Sequence, residues 1–445
     1  MLHGPLIMKI LYFALPLAAS SAFQQLFNSV DVAVVGRFAS SEALAAVGSN
    51  APVISLLINL FLGISMGANA VISNHIGQNN EKSIRNTVNT VGLVSLISGV
   101  ILFFAGILLA RPILTWMDTP ENVIDMAVRY LRIYFVGIPF FMIFNFGSAI
   151  LRSIGDTKRP LYILIIAGVV NTMLNLLFVI YFGMGVAGVA IATAIANLLS
   201  AILIIRILLR EEEPFRLHTD QLKIDTDELK RMLKIGIPAG VQGVIFSISN
   251  VVIQSTINSY GSDAVAGSAA ALNFEMYCYF LVVAFNGAAI SFVGQNYGAG
   301  YLDRVKSIFK ICLLFAFLFC AGFNLFFAWQ GELFLSLFTA DENVVAYGLT
   351  RMHIVLIAQS IACSYEIAGA SMRGMGHSVT PTILTIIGTC LLRIVWVYAV
   401  CPRWPGFDIL MLVYPVSWIL TGSIVYMAYR MTVRKAELTQ GKLAT

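Results

Sequence analysis

Charge is what this chain has least of. Only 11% of its 445 residues are Asp, Glu, Lys or Arg, where a soluble domain carries roughly 25%. Such a chain cannot cover a water-facing surface, which excludes an ordinary soluble enzyme or binding module. Histidine is scarce too: His3, His75, His218, His353 and His377 are too scattered for metal-ligand spacing. All six cysteines (Cys278, Cys312, Cys320, Cys363, Cys390, Cys401) fall in the second half, none in a Cys-x-x-Cys pair. They read as small apolar core residues with free thiols. His-Glu-x-x-His and phosphate-loop patterns are missing. Gly183-Met-Gly185-Val-Ala-Gly188 fits the dinucleotide pattern, but it lies between apolar runs with no strand before it, so a tight turn explains it better. Neither an enzyme nor a resident cofactor is expected, nor a nucleotide-driven pump in this chain alone.

What is present is apolar length. Apolar residues make up 58% of the chain, with a mean hydropathy of +0.84. A bilayer is crossed only by helices or closed barrels, and these long unbroken runs match helices. The runs cover 10–35, 43–72, 88–109, 123–151, 161–182 and 186–209, then 229–257, 264–293, 305–327, 344–372, 380–400 and 409–429. An all-α membrane protein of twelve transmembrane helices is expected. The first run follows Lys9 like a signal peptide, but it continues to Val35 and reads as an uncleaved span.

The second half repeats the first. Leu151-Arg-Ser-Ile-Gly155-Asp-Thr-Lys-Arg-Pro160 returns as Met372-Arg-Gly-Met-Gly376-His-Ser-Val-Thr-Pro381, an offset of 221. The same offset pairs Ser41-Glu42-Ala43 with Ser262-Asp263-Ala264 and Glu121-Asn122-Val123 with Glu342-Asn343-Val344, and 222 pairs Pro16 with Pro238. Each half holds an even number of spans, so the repeat is parallel, two six-helix lobes, and a duplicated membrane protein of this kind points to a transporter. The expected division is an N-lobe 1–209, a polar cytoplasmic linker 210–228 and a C-lobe with its tail 229–445. With a cytoplasmic N-terminus, only Arg37, Arg111 and Arg403 fall in external loops. The positive-inside rule then makes both termini cytoplasmic and the loop around Asp118 external.

With no fuel site in the chain, an ion gradient is the expected energy source, coupled through ionisable groups inside spans, which are costly there and rarely kept without a role. Asp31 shares one helix face with Ser20, Gln24 and Asn28. Asn171 and Asn175 lie one turn apart in the fifth run; Thr193, Asn197 and Ser200 share a face of the sixth. Around one carboxylate, these oxygens and amides suit a proton carrier or Na⁺, a hard cation. The bland alternative places Asp31 at the interface beside Arg37. No acid matches Asp31 in the second lobe, which reads Val252-Ile253-Gln254 there; its membrane acids are Glu275 and Glu366. Glu275 is flanked by Phe274, Tyr277, Tyr279 and Phe280. Glu366 follows Tyr365 and shares a face with Gln359 and Arg373. Carboxylates among rings suit an organic cation. The alternative for both is an internal ion pair, with Arg393 or Arg373 as partner.

Together these features resemble the multidrug and toxic compound extrusion (MATE) family, most of all its bacterial DinF-like branch. The resemblance rests on Pro16 and Asp31 in the first span and on Gly77-Gln78-Asn79 with Phe292-Val-Gly294-Gln295-Asn296-Tyr-Gly298-Ala-Gly300 closing the second and eighth. The Arg152…Gly155-Asp156-Thr157-Lys158…Pro160 loop and its second-lobe partner add to it. It implies a V-shaped antiporter working by alternating access in the bacterial cytoplasmic membrane. Asp31, Asn171, Asn175, Thr193 and Asn197 would form the cation site, with Na⁺ held by the first four if Na⁺ is the ion, and Pro16 would be a hinge. Some members bind their cation through an acid in the seventh span, where this chain has Phe246, Ser247, Asn250 and Gln254. The expected function is an H⁺- or Na⁺-coupled monomeric exporter of organic, cationic amphiphilic compounds, with Gln24, Asn28, Glu275, Tyr279, Gln359 and Glu366 contacting substrate. The alternatives are a lipid or lipid-linked oligosaccharide flippase of the same superfamily, against which the second-lobe acids argue, and a membrane enzyme or channel.

Overall fold

The structure is a computed structural model describing residues 1–117, 119–220, 222–337 and 341–444. Asp118 in the expected external loop and Gln221 in the expected linker lie outside the described residues. Helices account for nearly all of it: α1 Leu6–Phe38, α2 Ser41–Gly77, α3 Glu81–Trp116, α4 Glu121–Val136, α5 Ile138–Ile154, α6 Lys158–Leu176, α7 Gly185–Leu208 and α8 Thr226–Asn258, then α9 Ser262–Gly298, α10 Leu302–Trp329, α11 Gly331–Ser336, α12 Glu342–Arg351, α13 Cys363–Gly374, α14 Val379–Thr385, α15 Leu392–Val395, α16 Phe407–Met411 and α17 Val413–Ala444. Among the described residues eleven spans are long and apolar enough to cross a membrane, and the pair α4–α5, bent by 46° at Gly137, makes a twelfth when taken as one span. The chain is a multi-pass membrane protein with the expected number of spans.

The repeat is visible in the helix starts. α2, α3, α4 and α6 begin 221 residues before α9, α10, α12 and α14, and Gly155 and Gly376, at matched loop positions, both take positive φ, which glycine adopts without a Cβ clash. Many helices run beyond their apolar stretch because polar residues cap them. The Ser40 hydroxyl accepts from the Ala43 N–H and Asn80 Oδ1 from that of Ser83. The expected span 344–372 is less regular, passing through π and 3₁₀ turns between α12 and α13.

Two compact units emerge, but not at the boundaries expected from the polar linker. One, here the N-terminal unit, is Ala19–Gly240; the other, the C-terminal unit, is Met1–Ala18 with Val241–Thr445. Each boundary falls inside a helix, two residues beyond Pro16 in α1 and two beyond Pro238 in α8. A proline deletes one backbone hydrogen bond of its helix, so α1 and α8 change unit where their own ladder is interrupted.

In the N-terminal unit α5 packs on α2, α3 and α7. The first half of α8 is held by a crossing with α2. A Cβ on Gly63 would lie 2.3 Å from Gly240 N, and one on Gly236 2.4 Å from Ile64 Cα, so only small-xxx-small faces let these backbones meet. The linker is not free between lobes. Asn86 donates to Asp225 Oδ2 at 2.9 Å, the Asp225 N–H to Thr90 Oγ1 at 3.0 Å, and the Leu217 N–H to Leu208 O at 3.0 Å. Buried His75 and Glu228 meet at 2.7 Å. In the C-terminal unit α9 is the central helix, packed against α10, α12 and α13.

Candidate functional site

Asp31 lies on α1 in the N-terminal unit, 9% exposed. It is buried among helices rather than fringing water beside Arg37. α6 places Asn171 and Asn175 one turn apart on a face turned to it. Asn171 Nδ2 donates to Asp31 Oδ1 at 2.9 Å, and Asn175 Nδ2 donates to the same oxygen. Immediately afterwards α6 widens into a π turn, 177–181, a local irregularity found often at functional sites. Thr193 of α7 also reaches Asp31. Its single hydroxyl proton is placed on Val189 O at 3.0 Å, so its lone pairs remain to serve as ligands.

Two orphaned atoms give this cluster its chemistry. The Oδ1 atoms of Asn171 and Asn175 are buried without a hydrogen-bond partner, and buried polar groups are usually satisfied. Ionised Asp31 is stabilised by the two amide donors. Turning either amide over would offer an oxygen instead, either to a proton on Asp31 or to a hard cation beside it. Asp31, Asn171, Asn175 and Thr193 then make an all-oxygen donor set, which fits Na⁺.

The other expected members stand apart. No hydrogen bond joins half-buried Asn197 to Asp31 among the described residues, and Gln24 and Asn28 are exposed. Sequence reasoning missed Tyr130 and Tyr134 of α4, which stack 6.0 Å apart and lie close enough to Asp31 to feel its charge. Their spacing of four was the available signal.

In the C-terminal unit Glu275 is closed internally, and by a partner other than Arg393 or Arg373. Arg351 Nε donates to Glu275 Oε1 at 2.6 Å and Nη2 to Oε2 at 3.0 Å, with both side chains at most 6% exposed. Gln359 Nε2 donates to Glu275 O at 2.9 Å. The substrate role expected for Glu275 does not suit a carboxylate whose two oxygens already hold a guanidinium. Glu366 is also buried: Asn286 donates to its Oε2 at 2.8 Å and the Tyr279 hydroxyl to its Oε1 at 3.3 Å. Nearby Arg373 donates to Gln242 Oε1 at 2.6 Å. Arg351, Asn286 and Gln242 were not foreseen; they come from distant stretches, and no local pattern marks them.

The comparisons with known proteins agree with this architecture. The MatE family model matches twice, over residues 16–177 and 238–399, one copy per repeat and each beginning at a helix proline. The chain is 27% identical over 437 residues to the probable multidrug resistance protein YoeA of Bacillus subtilis, covering 96% of this chain and 94% of that protein. It is 26% identical over 318 residues, 69% of each, to the FAD transporter of Shewanella oneidensis. Among solved structures, a crystal structure of MATE in the bent conformation aligns with a TM-score of 0.92 at 21% identity, covering 98% of both chains. With its double match and membrane-spanning repeats, the chain belongs to the MatE family, the MATE transporters.

Proposed function

We propose that this protein is a cation-coupled antiporter that exports organic compounds from the cell by alternating access, with H⁺ or Na⁺ acting at Asp31. The observation that carries the reading is the buried Asp31 carboxylate with two amide donors on one oxygen and two unpartnered amide oxygens beside them. Such a group exchanges partners when it gains a proton or a cation. A ligand moves a conformational equilibrium only by binding one state better, and α1, which carries Asp31, changes unit just after Pro16. Pro16 is therefore the proposed hinge, and Asn197 a second-rank member of the site. The cytoplasmic membrane of a bacterium, with both termini inside, is the setting the loop charges favour.

The expectation of cationic amphiphiles leaned on Glu275 and Glu366; Glu275 now has Arg351, while Glu366, Tyr279 and Gln359 remain candidate contacts. Relatives named for multidrug resistance and for FAD transport fit a carrier of organic molecules without a common charge. The flippase reading regains some weight, because the acids that spoke against an anionic substrate have internal donors. Proteoliposomes under separately imposed proton and sodium gradients test the proposal. Dye efflux driven by one gradient in wild type and at least tenfold slower in Asp31→Asn supports it; efflux indifferent to both gradients overturns it.

A further inference from the structure

Arg393 is a buried cation that the protein itself leaves without an anion. Three arginines are buried in the C-terminal unit, Arg351, Arg373 and Arg393, against the membrane carboxylates Glu275 and Glu366. Arg351 holds Glu275 and Arg373 has Glu366 nearby. Arg393 makes no ion pair among the described residues. Its Nη1 donates to Asn250 Oδ1 at 3.1 Å, and its Nε is buried with no partner. Two rings face it, Tyr414 at 4.5 Å and Phe246 at 5.8 Å.

A guanidinium keeps its charge at any physiological pH, and an uncompensated buried charge is expensive. Ring faces offset part of that; an anion completes it. The unpartnered Nε side is the one by which Arg351 grips the two oxygens of Glu275, the bidentate geometry that carboxylates and phosphates share. Arg393 itself is 3% exposed, but its covers are not closed: Asn250 is exposed and Phe246 half-buried. Displacing one amide uncovers the charge between two aromatic walls.

We propose that Arg393, with Asn250, Phe246 and Tyr414, is a binding site for the anionic group (carboxylate, phosphate or sulfonate) of an amphiphilic ligand. It deepens the exporter reading by naming a substrate class, and rests on that reading only for the export of the bound ligand.

The test compares two xanthene dyes of opposite charge, fluorescein and rhodamine 123, binding to the full-length protein in phosphatidylcholine nanodiscs, followed by fluorescence anisotropy. Arg393→Gln should lower the fluorescein-to-rhodamine affinity ratio at least tenfold; Arg393→Lys, keeping charge but losing the fork, should lower it less. Asn250→Asp serves if Arg393→Gln does not fold: it closes the pair internally, so the melting temperature should rise while fluorescein binding falls. An unchanged ratio in both variants, or wild type that does not bind fluorescein, overturns the site. Doping the discs with phosphatidylglycerol separates the sources: displaced dye assigns the site to lipid headgroups, retained dye to soluble anions, and both leave it standing. Asp31→Asn should keep fluorescein binding. Gradient-independent efflux with an intact dye ratio therefore counts against the exporter reading alone, and a lost ratio preference with gradient-driven efflux against the anion site alone.

Discussion

Asp31 and Glu275 are both buried carboxylates, yet their surroundings give them opposite consequences on mutation. Asp31 accepts two neutral amides, so the near-isosteric Asp31→Asn leaves no charge stranded. Its melting temperature should stay within a few degrees of wild type while gradient-driven efflux is lost. Glu275→Gln strands Arg351 in the interior. Breaking a buried ion pair costs about 3–5 kcal/mol, so a clear drop in thermal stability is expected in detergent. The double variant Glu275→Gln/Arg351→Gln should recover much of it, and a single variant as stable as wild type would contradict the pairing. Sequence alone put both acids in the membrane and could not choose between binding and pairing for Glu275. Arg351 is 76 residues away, and only the packing of α12 on α9 brings the two together.

At the scale of the helix, close approach decides which glycines tolerate a side chain. Gly63→Ala would place a Cβ 2.3 Å from Gly240 N, whereas a Cβ on Gly322 of α10 meets nothing within 4 Å. Gly63→Ala should cut folded yield and melting temperature. Gly322→Ala should be neutral or stabilising, since alanine is the better helix former by about 1 kcal/mol. Equal melting temperatures for the two would show that the α2–α8 crossing is looser than described. Asp225 caps α8, its Oδ1 accepting the N–H groups of Asp227 and Glu228. The Glu228 N–H chiefly, with the Asp227 N–H, the Asn86 side-chain amide and the nearby Arg231, holds its carboxyl below the ordinary range against the opposing effect of burial. A depressed carboxyl contributes stability that is complete above its ordinary pKa of about 4 and fades as pH falls through the lower value. Wild-type linker proteolysis should therefore be flat from pH 7 to 5. Asp225→Ala, at a loss of about 1 kcal/mol, should be cut faster already at pH 7.

Over the whole molecule, topology is the property read from charge alone. An impermeant thiol label should not reach a cysteine placed at exposed Thr219 in intact cells, with the half-buried Cys401 replaced to remove background. Labelling from outside would invert the proposed orientation. Composition and apolar run length by themselves determined the membrane class and the number of spans, because a lipid solvent forces every spanning backbone into a long helix; the repeat was legible in residues matched at an offset of 221. One-turn spacing on single helices was enough to single out Asp31, Asn171 and Asn175. The unit boundaries within α1 and α8, the docking of the linker, the Arg351 partner of Glu275 and the isolation of Arg393 were decided only in three dimensions. Each depends on which distant helix faces which, and helix-to-helix neighbours leave no periodic trace in the chain.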